Sequence, residues 1–534
     1  MKLSRKRQRP LPNLVLLAAA LALLISSLNG QGLNPSMLLH PTPDSWPTYN
    51  GDYSGKRFSS LKQINKSNVG KLGLVWAFQT DVTNGPGLKS TPLLVNGILY
   101  FTDPNDVWAV DARTGRQNWH YHYPSNAGLH IGQRGLGMYR NRLFYETPDD
   151  HLLCLDARTG HVLWNRVLAD VKLGYWATMA PLVVKNHVLT GISGDFNDLH
   201  GFIDSFDPET GKRQWKWSSL PKPGEPGADT WPNASAMKHG GGMTWLTGTY
   251  DPELNLVYWG TANPNPVMDG SSRKGANLFT CTIAALNPDT GKLVWYFQAS
   301  PHDVHDWDAV QTPVLVDAKF GGKPRKLLLQ ASRNGYYFVL DRTNGKVLLS
   351  TPYAHIDWSS GINSKGQPIS KRDMYPSPAG TLVEPDAIGA TNWMAPSFDP
   401  QTGLLYVDTH RSYSLYYAYH NGKPEGFAGR DVTVWSKSFL RAIDYQTGKS
   451  RWKVDLGSGW NWAGVLSTAG GVVFTGDVNG NVLALDAATG KILWHTYAGG
   501  QAEQPPITYE LDDRQYLVVG AHGVVYCFAL PVKP

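Results

Sequence analysis

Trp245, Asn263 and the acids of Pro301-His-Asp-Val-His-Asp-Trp-Asp308 are side chains that could bind a small molecule and a cation and move a proton if the fold brought them together. Trp245 follows the glycine run at residues 240–242, where close backbone approach and unusual dihedrals are allowed. Asp251-Pro-Glu-Leu-Asn255 reads as a turn, residues 256–260 as an apolar strand, and Asn263 stands just past its end. A flat aromatic beside an exposed carboxamide oxygen can hold a planar cofactor and a hard, oxygen-seeking cation side by side. His302 and His305 with their neighbouring aspartates imitate a metal cluster, but their order follows a loop and argues against a zinc site. Any one of these residues alone also fits a core tryptophan, a turn asparagine or a structural histidine, as His239 and His410 are read. The surrounding elements therefore decide.

Those elements are repeats. Asp111-Ala-Arg-Thr-Gly115 leads to Trp119, and Asp156-Ala-Arg-Thr-Gly160 leads to Trp164. The unit returns at Asp207 with Trp215, Asn287 with Trp295, Asp341 with Leu349 in place of Trp, Asp444 with Trp452, and Asp486 with Trp494. A strand ends in Asp, Thr-Gly makes the turn, and the next strand carries the Trp back to pack between units. Self-similarity at this period signals a repeat fold. The stretch around Trp76 has a strand and a Trp but no preceding turn motif, whereas residues 506–530 have strands but no following Trp. Joining the two removes an open edge. Seven motifs and one shared unit predict an all-β, eight-bladed propeller closed by its N-terminal strand, occupying residues 31–534 as one domain.

Composition agrees with a large strand-rich protein: 534 residues, 55 Gly, 20 Trp and 25 Tyr. Lys2, Arg5, Lys6, Arg7 and Arg9 precede an apolar run over about residues 14–28, which reads as an export signal or an uncleaved membrane anchor at residues 1–30. The expected location is therefore the periplasm, with attachment to the inner membrane as the alternative. Without those five bases the formal charge falls from +6 to +1, which speaks against nucleic acid as a partner. Cys154, Cys281 and Cys527 sit in apolar strand contexts, and no Cys-x-x-Cys-His marks an attached c-type haem.

The repeats, the glycine–tryptophan stretch and the closing unit together resemble the pyrroloquinoline-quinone-dependent alcohol dehydrogenases over roughly residues 46–530. The resemblance implies that Trp245 forms the floor under the quinone and Asn263 ligates calcium. It implies a general base, which also ligates the metal, at Asp308, and an Arg333 in Arg-Asn-Gly that meets the quinone oxygens. Lys89, Arg134, Thr178, Ser193, Asn392 and Trp462 match further cofactor contacts. Hydride transfer from an alcohol or sugar hydroxyl is the implied reaction, with electrons passing to a separate acceptor such as a cytochrome or a membrane quinone.

The pattern breaks at three places. The family's calcium-binding glutamate falls on Phe196, which leaves Asp195 or Asp198 as substitutes; an extra aspartate two residues beyond the base is replaced by Val310. A vicinal cysteine pair is replaced by Gly128-Leu129. A glutamate before the first unit's Thr-Pro is Lys89, which suits a cofactor carboxylate. Two functions follow: a calcium-assisted quinoprotein dehydrogenase, or a propeller without cofactor that serves as a binding or assembly scaffold. The surroundings of Phe196 discriminate between them, since calcium prefers carboxylates among its six to eight oxygens.

Overall fold

The computed structural model describes residues 32–80, 87–125, 127–128, 131–194, 198–419 and 426–532. The targeting segment at residues 1–30 lies outside them, as do Asp195, Phe196 and Leu129. Among the described residues no helix is long and apolar enough to cross a membrane.

Strands dominate, gathered into eight sheets of four or five strands that follow one another along the chain, with one small hairpin besides. The first sheet runs Leu93–Val95, Ile98–Asp103, Asp106–Asp111 and Gln117–His122, each strand antiparallel to the next. Its third strand is buried along Val-Trp-Ala-Val, because it is packed on both faces; its fourth alternates exposed and half-buried. Gly73–Gln79 pairs antiparallel with Val524–Ala529, which brings a strand from near the start of the described residues into the sheet of the last ones. Phe58–Ser59 adds a parallel pair to Leu466–Thr468, which the repeat pattern did not foretell because the segment has no motif of its own.

The motif turn has a mechanical role. Asp111 Oδ1 accepts from the N–H groups of Arg113 and Thr114 and from the Thr114 hydroxyl at 3.1, 2.9 and 2.8 Å. Gly115 then takes φ +72°, and a Cβ there would lie 2.8 Å from the Trp76 ring. Glycine is required twice over, by dihedral and by space. The same contact places Trp119 on Gly160, Trp164 on Gly211, Trp215 on Gly291, Trp295 on Gly345 and Trp452 on Gly490. Trp76 and Trp119 also donate to the Ala112 and Ala157 carbonyls at 3.2 and 2.9 Å. Each tryptophan thus fixes its own sheet to the turn of the next. Where Leu349 replaces Trp, Thr351 and Tyr337 cover Gly448 instead.

One apolar cluster draws on several sheets: Tyr49, Ile192, Met243, Trp245, Val310, Trp393 and Met394, with Trp462 packed against it. It underlies the site. The three cysteines are buried and free.

Candidate active site

Asp308 is the hub. It is buried to 1% exposure on a segment with no regular secondary structure. Its Oδ2 accepts from the Trp245 indole N–H at 3.0 Å and from Arg333 Nη1 at 2.7 Å. Its Oδ1 accepts the backbone N–H of Asn263 at 2.8 Å. Burial pushes the Asp308 carboxyl above its ordinary range, and the Arg333 guanidinium opposes that shift. Four residues selected from sequence, Trp245, Asn263, Asp308 and Arg333, are thereby joined by direct hydrogen bonds.

Arg333 serves a second carboxylate: Nη2 lies 2.9 Å from Asp306 Oδ2, and Nε donates to the Ala387 carbonyl at 2.8 Å. It is a bridge between two acids, not an isolated cation over a ligand. Asp306 was missed in the sequence, although the alternation Asp306-Trp-Asp308 was its signal. The Asp306 side chain retains 16% exposure, against 2% for Asp308.

Arg134 and Lys89 converge on two tryptophans. Arg134 Nη1 donates to Thr178 Oγ1 at 2.6 Å, and its guanidinium carbon lies 4.8 Å from the Trp245 ring centre and 5.4 Å from that of Trp393. Such contacts attract a cation electrostatically. Burial lowers Arg134 to about 10, and its Nε finds no hydrogen-bond partner among the described residues. Lys89 Nζ lies 5.7 Å over Trp393, donates to the Ile131 carbonyl at 2.9 Å and stands 3.6 Å from Glu503. Trp462 lies nearly parallel to Trp393, at 6.4 Å and 9°. Asn392 precedes Trp393 and donates to the Ile388 carbonyl at 2.8 Å. Ser193, 2% exposed, forms an isolated bridge with Trp176. Trp393 was not singled out by type, since nothing in the sequence distinguishes it from the nineteen other tryptophans.

The Asn263 side-chain oxygen is buried and has no hydrogen-bond partner among the described residues, while its Nδ2 donates to Pro264 at 3.2 Å. Other buried side-chain oxygens, Gln133 Oε1 and Asn461 Oδ1 among them, are likewise without a partner, and what sets this one apart is its place next to Asp308. This orphan beside Asp308 is what a cation would complete, so these residues fit a metal ion in part. Asp198, one expected substitute for the glutamate, is turned elsewhere: Oδ2 accepts from His239 Nδ1 at 2.8 Å. Asp195, the other, lies outside the described residues. Lys89 and Arg134 stand over the Trp393 ring, with Trp245 and Trp462 beside them, a grouping of cations and aromatic faces whose charge suits an anionic group. His305 stacks on Trp307 at 4.2 Å and its Nε2 meets the Met374 carbonyl at 2.8 Å, so it holds the loop. His410 is buried against the Asn461 carbonyl at 3.1 Å.

Stacked sheets with tryptophan-capped turns, enclosing buried cations around a tryptophan-bound aspartate, define the quinoprotein class of propeller. Residues 46–378 match the model of the glucose/ethanol/alcohol dehydrogenase β-propeller domain, and residues 436–528 match that of the outer membrane protein assembly factor BamB. The quinohemoprotein alcohol dehydrogenase of Comamonas testosteroni is 37% identical over 91% of this chain and 74% of its own. The quinoprotein alcohol dehydrogenase PedH of Pseudomonas putida is 34% identical over 97% and 92%. Among solved structures, the Comamonas testosteroni enzyme superposes with a TM-score of 0.88 at 32% identity, covering 96% of this chain and 84% of that one. A europium-containing methanol dehydrogenase gives 0.84 at 30%, covering 93% and 100%. The chain belongs to the pyrroloquinoline-quinone-dependent alcohol dehydrogenase family.

Proposed function

We propose that this protein is an exported dehydrogenase that oxidises the hydroxyl of an alcohol or sugar with bound pyrroloquinoline quinone and a cation, calcium by expectation, and hands the electrons to a separate acceptor. The observation that carries this reading is the orphaned Asn263 oxygen beside the tryptophan-bound Asp308. A buried unsatisfied amide oxygen costs on the order of 1–3 kcal/mol. A cation held between Asn263 and Asp308 would satisfy it. The scaffold alternative draws on the assembly-factor match at residues 436–528, a segment that contains none of Trp245, Asn263, Asp306, Asp308 and Arg333.

In this reading the eight sheets are blades of one ring, residues 31–534, closed where Gly73–Gln79 joins Val524–Ala529 and Trp76 caps Gly115. Residues 1–30 direct export to the periplasm or hold the protein at the inner membrane. When bound, the quinone supplies a two-electron acceptor that no standard side chain provides. Lys89 and Arg134 would meet its carboxylates, Thr178, Ser193 and Asn392 would supply polar contacts, and Trp245 and Trp462 would supply aromatic surface. Asn263 Oδ1, Asp308 and Asp195 would hold the cation, which would supply a Lewis acid.

The sequence gives base and ligand duties alike to Asp308; the geometry favours dividing them. Three donors already occupy the two Asp308 oxygens, which weakens it as a base and fixes it beside Asn263. Asp306 is the more exposed carboxylate and is held on the same guanidinium. It takes the substrate hydroxyl proton, and Arg333 is hydrogen-bonded to both carboxylates. The test is titration of the purified protein with pyrroloquinoline quinone, with and without calcium, followed by cofactor absorbance and tryptophan quenching. Stoichiometric, calcium-dependent binding is expected. A folded protein that binds no quinone at high concentration would refute the dehydrogenase and leave the scaffold.

A further inference from the structure

Residues 384–389 form a strap beside the site, with no helix or strand of their own. Successive carbonyls of this strap are taken up by side chains from separate stretches of the chain. The Pro385 carbonyl accepts the Tyr416 hydroxyl at 3.2 Å, the Asp386 carbonyl accepts the Trp307 indole N–H at 2.9 Å, and the Ala387 carbonyl accepts from Arg333 Nε at 2.8 Å. The Ile388 carbonyl accepts from Asn392 Nδ2 at 2.8 Å. Arg333 is held at its backbone too, because its own carbonyl accepts the Ala390 N–H at 2.9 Å. Gly389, at φ +89°, lets the strap pass this close: a Cβ there would lie 2.2 Å from Arg333 Cγ. The strap thus grips the arginine that bridges Asp306 and Asp308 and the tryptophan that lies between them in the chain.

Loop carbonyls can aim side chains only if the loop itself is fixed, and the fully buried Asp386 side chain fixes it. Its Oδ1 accepts the Gly389 N–H at 3.0 Å, and its Oδ2 accepts the Trp460 indole N–H at 3.1 Å and the Thr433 hydroxyl at 3.4 Å. The Asp386 N–H donates to Ser412 Oγ at 3.3 Å. Both carboxylate oxygens face donors, and charge strengthens such bonds. Burial raises the carboxyl to about 6, which leaves it mostly ionised at neutral pH. Trp460 in turn lies 6.2 Å from Trp462 between ring centres. One carboxylate therefore joins the loop of Asp306 and Asp308 to the tryptophan wall assigned to the cofactor.

We propose that Asp386 is a positioning residue of this site: its carboxylate anchors the strap, and the carbonyls of the strap set where Trp307 and Arg333 stand relative to Asp306 and Asp308. The kinetic consequence rests on the dehydrogenase reading; the geometry does not. Arg333 bonds both acids, so a shift of the strap moves the arginine against them. A displacement of about 1 Å in a reacting constellation costs on the order of 10²-fold in rate. In Asp386→Asn the amide offers a single acceptor oxygen and turns its NH2 toward either the Gly389 N–H or the Trp460 indole, so one anchor is lost whichever way it sits.

Asp386→Asn, Trp460→Phe and the double variant are loaded with pyrroloquinoline quinone and calcium and assayed with a small dye acceptor. Per bound quinone, kcat is expected to fall about 10- to 100-fold in Asp386→Asn and about threefold in Trp460→Phe, with KM for the alcohol within about twofold of the wild type. The double variant should be no slower than Asp386→Asn, because the indole acts through the carboxylate. A normal kcat in Asp386→Asn, a loss carried by KM alone, a loss accounted for by a smaller quinone-loaded fraction, or losses that multiply in the double variant overturns the proposal. Should Asp386→Asn not fold, Trp460→Phe decides: a lowered kcat at normal KM supports the anchor, and a wild-type kcat overturns it. If the wild type turns over no dye, the dehydrogenase reading fails on its own, and a crystal structure of either variant then decides the strap. Loss of the bond from Trp307 to the carbonyl of residue 386, or of that from Arg333 Nε to Ala387, supports the anchor; retention of both overturns it.

Discussion

Replacing Asp306 and Asp308 separately by Asn isolates the division of labour between them. In Asp308→Asn, the new amide must place its NH2 against either the Asn263 N–H, now 2.8 Å from Oδ1, or the Trp245 and Arg333 donors, at 3.0 and 2.7 Å from Oδ2. Donor faces donor in both orientations. Breaking a buried ion pair costs roughly 3–5 kcal/mol, but Asp306 remains 2.9 Å from the same guanidinium and offsets part of it. A loss of about 2 kcal/mol in folding stability is expected, and calcium-dependent quinone binding fails. In Asp306→Asn, the Asp308 hydrogen bonds persist, so quinone and calcium should bind as in the wild type. Turnover should fall by about 10²–10⁴, the usual share of a general base, or roughly 3–5 kcal/mol of barrier. Dye-linked kcat and cofactor titration, run on both variants, separate the cases. The division is refuted if Asp306→Asn keeps kcat within about threefold while Asp308→Asn binds quinone and calcium normally and does not turn over.

Asn263→Ala removes the orphaned oxygen; the apo protein should unfold at the same or slightly higher urea concentration, while calcium-dependent quenching is lost. Gly160→Ala forces a Cβ to within 2.8 Å of Trp119 at φ +73° and should lower stability by about 1–3 kcal/mol in urea unfolding, with cofactor stoichiometry of the folded fraction unchanged. Burial raises Asp103 and Asp150 from 3.8 to about 8 each. Between those values the folded state keeps protons that the unfolded chain has released, so stability falls as pH rises from about 4 to 8. The apo midpoint should be higher at pH 5 than at pH 8.5, and Asp103→Asn should flatten the slope.

The scaffold was readable because its parts are local. A turn aspartate, Thr-Gly and a returning tryptophan lie within one motif, and the packing of Trp119 on Gly160 repeats in six of the units with only the residue numbers changed. Trp245, Asn263, Asp308 and Arg333 were also readable one by one. Their resemblance to a known pattern supplied identities, and the hydrogen bonds in the structure link them. What resisted was direction. Residues 303–311 form no strand, so no two-residue period tells which of Asp306 and Asp308 faces inward. Asp306 takes φ +68°, a backbone state that no sequence pattern announces for aspartate with certainty. Trp393 escaped for the opposite reason, being one tryptophan among many whose neighbours come from distant sheets.

The same contrast explains how the fold can carry its site. A buried amide oxygen without a partner, a guanidinium lowered to about 10 and carboxyls pushed upward by burial all work against folding. Only a surround that is already determined elsewhere can hold them. Here six of the sheets are fixed to the next by an indole seated on a glycine turn, away from the strained groups. The rim contacts involve no residue of the catalytic constellation, so the two can vary independently. Relaxing the centre should therefore raise stability without changing the sheets around it, which is why the apo protein with Asn263→Ala is expected to be at least as stable as the wild type. The variant is expected to lose calcium-dependent quinone binding, because the oxygen left without a protein partner is the one that the proposed function assigns to the cation.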